Sequence, residues 1–181
     1  HVAELQARVE PFARNQPWGV RVAKLDFGEA FNTYLPLIRD RNSADLVILD
    51  QYGFQHMPPD IFRDLASCQT TDLICFITSS YVRRFAATKA TQRYIPVDVE
   101  DIGAVSSSQV HRYICDYYRG CLPTHTHYYV APFSIRRQAN VHGLIFGSGS
   151  LYGLDKFLRV CWHIDEHTGE AIFAIDGDPV V

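Results

Sequence analysis

The sequence predicts an α/β fold: a Rossmann-like, mostly parallel sheet with helices on both faces and a C-terminal antiparallel hairpin. Three observations carry that expectation. Residues 45–50, "DLVILD", and 72–80, "DLICFITSS", hold unbroken apolar runs, as strands buried on both faces do. Segments of about a dozen residues with helical apolar spacing separate the strands. Late in the chain, "HTHYYVAPFSIRR" (125–137) and "NVHGLIFGSGS" (140–150) read as two antiparallel strands turning near Gln138-Ala139-Asn140.

The elements follow in order. Ala3, Leu5, Val9 and Phe12 stand at roughly helical spacing, giving a short first helix. "WGVRVAKLDF" (18–27) alternates Val20 and Val22 with polar residues, so a strand ending at Asp26 is expected. Phe31, Tyr34, Leu35 and Ile38 then form one helical stripe, weakened late by Pro36. After 45–50 a helix starts at Pro59, a residue suited to a first helical turn, with Ile61, Phe62 and Leu65 inward. Residues 81–123 break the rhythm and read as a helical insertion, closed by Gly120 and Pro123. "LDKFLRVCWHID" (154–165) makes a last helix and "GEAIFAID" (169–176) a closing strand.

Length and composition bound the function. At 181 residues the chain is read as one domain with a sizeable core. A net charge of −3 excludes a uniformly basic nucleic-acid binder, so any basic surface is local. No apolar stretch approaches the roughly 20 residues that span a bilayer, so no membrane partner is expected. The five cysteines form no CxxC pair and no export signal precedes them, which predicts reduced thiols and a cytoplasmic protein. The chain opens on His1 in mid-architecture, and an N-terminal portion is expected to precede it.

In open parallel sheets ligands bind beyond the carboxyl ends of the strands. Three strand ends carry polar clusters: Asp26-Phe27, Asp50-Gln51-Tyr52-Gly53 and Thr78-Ser79-Ser80. Their convergence on one sheet edge is the expectation that makes this a site. Asp50 either orients a nucleophile or caps the strand exit. Tyr52 either stacks a substrate ring or packs over the strand end, and Gly53 serves a turn. Asp26 either meets an adenine amine or is solvated at a strand end. Ser79 and Ser80 line the pocket or start a helix. Arg83, Arg84, Lys89 and Arg93 have no acid among residues 81–93. With Tyr113, Tyr117, Tyr118 and Arg119 they make either a nucleic-acid face or a solvated helix surface.

Two further motifs read as structural. "GSGSLYG" (147–153) has the look of a dinucleotide loop, but no second long strand ending in an acid follows, so a tight strand-to-helix turn is expected. Cys115, Cys121, His125 and His127 match no zinc spacing, and no metal site is assigned.

Parallel α/β units followed by an antiparallel hairpin are the order of the class I methyltransferase sheet. More closely, "DQYGF", "FITSSYVRRF", "FSIRRQANVHGLIF" and the tail from "VHGLIFGSGS" to "GEAIFAID" resemble the three-Cys-motif partner proteins (TcmP), over roughly residues 44–178. The resemblance implies an S-adenosylmethionine-dependent, methyltransferase-like fold. It also implies a partner that bears a three-cysteine motif, with nucleic acid as a further substrate or partner. Asp50, Gln51, Tyr52 and Gly53 fall where the class I sheet carries its catalytic loop, and Asp26 and Phe27 where it meets the donor. Ser79, Ser80, Arg83 and Arg84, read from their own chemistry, are the expected substrate contacts. Gln51 stands where adenine-amino enzymes carry a proline that fixes the backbone. The glycine-rich donor loop is not in these residues, so the cofactor is expected only with the preceding portion present. The alternative is a non-catalytic Rossmann-like module that binds the three-cysteine protein or a nucleic acid.

Overall fold

The computed structural model describes residues 2–14, 19–50, 57–106, 109–137, 140–166 and 171–174, with 136, 137, 140 and 171–174 as backbone. They divide into two compact units, residues 1–36 and 37–181.

The first unit is helical. Helix α1 (Val2–Ala13) carries i,i+4 pairs between Arg8 and Glu4 (2.7 Å) and between Arg14 and Glu10 (3.8 Å), both solvent-exposed. The strand expected over 18–27 is not formed. Residues 19–26 are irregular, and helix α2 (Phe27–Ile38) begins directly after them. Asp26 caps that helix: its Oδ1 accepts from the Gly28 N–H (2.9 Å), while its own N–H donates to Glu29 Oε2 (3.3 Å). This is the reciprocal arrangement of a capping box. Alternation of Val20 and Val22 supplies an apolar face, but a strand forms only where a neighbour takes its backbone N–H and C=O groups. Pro36 does not end α2, which runs on to Ile38.

The second unit is a five-stranded mixed sheet of order β1-β2-β4-β3-β5. Strand β1 (Asp45–Leu49) lies parallel to β2 (Thr71–Ile77). Strands β3 (Tyr129–Arg137) and β4 (Asn140–Ser148) form the expected antiparallel hairpin. The second hairpin strand inserts between β2 and β3 and runs against both. Strand β5 (Ala171–Ala174) joins β3 in parallel at the far edge. Two of the four ladders are thus parallel, and the sheet is mixed where a mostly parallel one was expected.

Helices cover both faces. On one, Leu49, Leu73, Cys75, Ile77 and Ile145 are buried under α3 (Pro59–Ala66) and α7 (Val110–Gly120). The Phe62 ring of α3 meets Tyr118 of α7 at 4.9 Å and Tyr128 at 6.3 Å. The Tyr118 hydroxyl donates to the Met57 carbonyl (2.8 Å), so this buried phenol is satisfied. On the other face, Phe157 of α8 (Leu151–Ile164) stacks on Phe146 at 4.4 Å and meets Phe133 edge-on at 6.2 Å. Between β2 and β3 the chain forms α4 (Ser79–Phe85), α5 (Lys89–Tyr94), α6 (Val99–Ala104) and then α7.

Candidate functional site

Strand direction decides which predicted residues share an edge. Because β1 and β2 are parallel, their carboxyl ends emerge side by side. Leu49 pairs with Cys75, so β1 gives way to Asp50 two residues before β2 ends at Ile77. Asp50 is exposed there, at the outer strand. Gln51, Tyr52 and Gly53 lie outside the described residues.

Thr78 follows Ile77, and Ser79 opens α4 immediately, as small hydroxyl residues readily do. Strand β4 runs the other way, so its first residues reach this same edge: Ile77 pairs with Gly143. The Val141 N–H donates to Ser80 Oγ at 3.4 Å, tying the start of α4 to β4. Ser79 is fully buried, and its hydroxyl has no hydrogen-bond partner among the described residues. Beside it lies Gly143, where a Cβ would stand 2.9 Å from Ser79 Oγ and 2.5 Å from His111 Cβ. His111 of α7 is also fully buried. Ser79, His111 and Gly143 therefore form a closed plug under the edge. Asp50, Arg83 and Arg84 are exposed and Ser80 is half-buried. His111 and Gly143 were not singled out from sequence, because a histidine on an amphipathic helix gives no sign of which strand it will meet.

The two arginines are exposed at the last turn of α4. Arg83 Nη2 donates to the Gly103 carbonyl at 3.1 Å, bracing α4 against the end of α6. The Arg84 guanidinium lies 5.5 Å from the Phe85 ring, and that of Arg93 lies 5.7 Å from the Tyr94 ring. Tyr118 and Arg119, grouped with them from sequence, are elsewhere in role. Tyr118 is core. Arg119 donates from Nε and Nη2 to the Val130 carbonyl (3.1 and 2.8 Å) and from Nη1 to Asp116 (2.6 Å). No family model, curated protein or solved structure matches this chain.

No strand ends at Asp26. Asp26 caps α2, and Phe27 stacks on Phe31 at 6.2 Å, one turn further along the same helix.

The glycine-rich segment lies at the opposite edge. Strand β4 ends at Ser148, paired with Asp72 at the start of β2. Ser150 then caps α8 by accepting from the Tyr152 N–H (3.2 Å), and Ser148 Oγ accepts from the Ser150 N–H (3.0 Å). A Cβ on Gly149 would fall 2.4 Å from the Gln69 carbonyl oxygen. The turn is filled by its own chain, a tight strand-to-helix connection as its spacing predicts.

All five cysteines are free. Burial pushes the Cys115 thiol up from an ordinary 9.0 to about 12, so it is not a reactive thiolate. Among the described residues no three His, Cys, Asp or Glu side chains gather as metal ligands. Among them, too, no helix is long and apolar enough to cross a membrane.

Proposed function

We propose that this chain is an S-adenosylmethionine-dependent, methyltransferase-like protein of the three-Cys-motif partner type. Its reacting surface is the edge where β1 and β2 end. The observation that carries the reading is the placement of exposed Asp50 at the carboxyl end of β1. Beside it is the parallel strand β2, followed in space by the reversed β4. Parallel strands with an antiparallel hairpin appended are the order the resemblance implies, and ligands of open α/β sheets lie beyond carboxyl ends. Outer strand β1 also leaves Leu46 and Ile48 57% and 56% exposed, apolar surface of the kind a larger α/β sheet covers with further elements.

In this reading Asp50 accepts a proton from, or orients, the acceptor atom that receives the methyl group. The loop formed by Gln51, Tyr52 and Gly53 belongs with it by sequence. Ser80 and the α4 cations Arg83 and Arg84 hold a bulky, anionic substrate such as a nucleic acid. S-adenosylmethionine supplies the methyl group when bound. Donor contact at Asp26 and Phe27 remains part of this reading. Cytoplasmic location and partnership with a three-cysteine protein go with the family reading and share its fate.

The test uses the natural full-length protein. Calorimetry is expected to detect S-adenosylmethionine binding. Asp50→Ala is expected to retain it while abolishing release of S-adenosylhomocysteine in the presence of pooled nucleic acids. Absence of donor binding in the full-length protein sinks the enzyme reading and leaves the binding module. In that case short DNA and RNA should still bind, with a salt slope that Arg83→Ala/Arg84→Ala flattens by roughly one to two units.

A further inference from the structure

Helices α4 and α5 turn a surface of one sign outward. From Ser79 to Tyr94 the chain holds Arg83, Arg84, Lys89 and Arg93 and no acid, in a molecule of net charge −3. Among the described residues Arg84, Lys89 and Arg93 are exposed and make no ion pair, so their charge meets solvent uncompensated. Arg83 is tied to the last turn of α6 through the Gly103 carbonyl, while the α6 acids Glu100 and Asp101 stand in its first turn.

Aromatic rings are set among these cations. Ser79, Val82 and Ala86 are buried along one side of α4. That leaves Tyr81, Arg84 and Phe85, spaced three and four apart, on one stripe facing away. Phe85 is half-buried and backs the other two: the Tyr81 ring lies 4.4 Å from it and the Arg84 guanidinium 5.5 Å. Tyr81 itself is 44% exposed. In α5 the Arg93 guanidinium rests against Tyr94 in the same manner, at 5.7 Å.

Cations alone would hold any polyanion. A braced, exposed ring among them adds a platform for a flat, unstacked base, whose phosphate then lies within reach of the neighbouring guanidinium. A duplex keeps its bases stacked inside and presents mainly phosphates to a surface of two short helices, so the ring would be wasted on it. We propose that the outward face of α4 and α5 binds single-stranded nucleic acid, one base stacked on Tyr81 and the flanking phosphates on Arg84, Lys89 and Arg93. Stacking accepts every base, so the face has little sequence preference. This inference rests on the reading that the α4 cations hold nucleic acid, and narrows it to an unpaired strand.

The full chain is titrated by fluorescence anisotropy, at several salt concentrations, with four probes. These are short oligo-deoxythymidylate, oligo-uridylate of the same length, a DNA duplex of that length and a polyglutamate peptide. The better-bound single strand is expected to exceed the duplex by at least about tenfold, and its sugar names the source, DNA or RNA. Tyr81→Leu keeps apolar bulk against Phe85 and should weaken single-strand binding roughly tenfold with the salt slope unchanged, while Tyr81→Phe keeps full affinity. Arg84→Ala/Lys89→Ala should instead flatten that slope by about one to two units. Thermal melts check that each variant is folded, and the preference of the unaltered chain for single strand over duplex tests the proposal without any variant. Duplex bound as tightly as single strand overturns the inference, as does a folded Tyr81→Leu protein with undiminished affinity; both leave nucleic-acid binding standing. Polyglutamate bound as tightly as the oligonucleotides also overturns it, and reassigns the face to an acidic peptide. Silence of every oligonucleotide at low salt overturns it together with the nucleic-acid part of the proposed function.

Discussion

Gly143 and Ser79 mark opposite effects at one spot. Gly143 is where β4 passes His111 of α7, and a methyl group there has nowhere to go, since the nearest atoms are a Cβ at 2.5 Å and a hydroxyl at 2.9 Å. Gly143→Ala should therefore destabilise by about 1–3 kcal/mol, the usual cost of overpacking, read as a lower urea midpoint with an unchanged slope. Ser79→Ala should do the reverse. Its hydroxyl is buried without a partner among the described residues, a state that costs about 1–3 kcal/mol in proteins. Removing it should leave stability equal or raise it. A clear loss of stability in Ser79→Ala means that the hydroxyl has a partner, such as a bound water or ligand. Both effects are invisible in the sequence, where Gly143 is one glycine in an apolar run and Ser79 one of a pair of serines.

At the scale of elements, helix starts are where local chemistry and sequence agree. The first residues of α6 show it: Asp98 satisfies two of the N–H groups that a helix leaves open. Asp98→Ala should cost about 0.5–2 kcal/mol, while Asp98→Asn should restore most of the loss, as thermal melts would show. The same chemistry explains the main misreading. "DFGE" at 26–29 has the acid-x-x-Glu pattern of a capping box, yet the alternation before it argued for a strand and turned Asp26 into a strand end. Strand formation depends on a partner, helix capping on the next three residues. Where both were on offer, the local one was realised.

For the molecule as a whole, the pH dependence of stability follows from its buried thiols and phenols. Burial raises Cys115 from 9.0 to about 12, and burial followed by the Cys121 thiol raises Tyr117 from 10.0 to about 12. Burial also lifts Tyr118 and Tyr128. Each group stays protonated in the folded chain at pH values where the unfolded chain has released its proton. Their contribution is therefore complete below about pH 9 and is lost as pH rises through 9 to 12. Urea midpoints should be level up to about pH 9 and fall steeply above it. Cys115→Ala should soften the onset of that fall at the cost of a small cavity. A midpoint that stays flat to pH 11 would show that these groups are wetter than their packing indicates.

The sequence by itself determined the apolar runs of β1 and β2, the hairpin, the helix from Pro59 and the α8 turn. Each is written in consecutive residues, since periodicity, turn chemistry and caps act over a few positions. Tertiary structure alone decided that β4 enters between β2 and β3. That insertion sends "GSGSLYG" to the far edge and brings Gly143 to His111 and Ser79. It also decided that Tyr118 turns inward and Arg119 grips the Val130 carbonyl while Tyr113 and Tyr117 line a cleft, and that no strand ends at Asp26. These facts depend on which distant segment supplies hydrogen bonds and apolar cover. No local pattern encodes a partner that is 30 or 60 residues away, such as Met57 for Tyr118 or Ser80 for Val141.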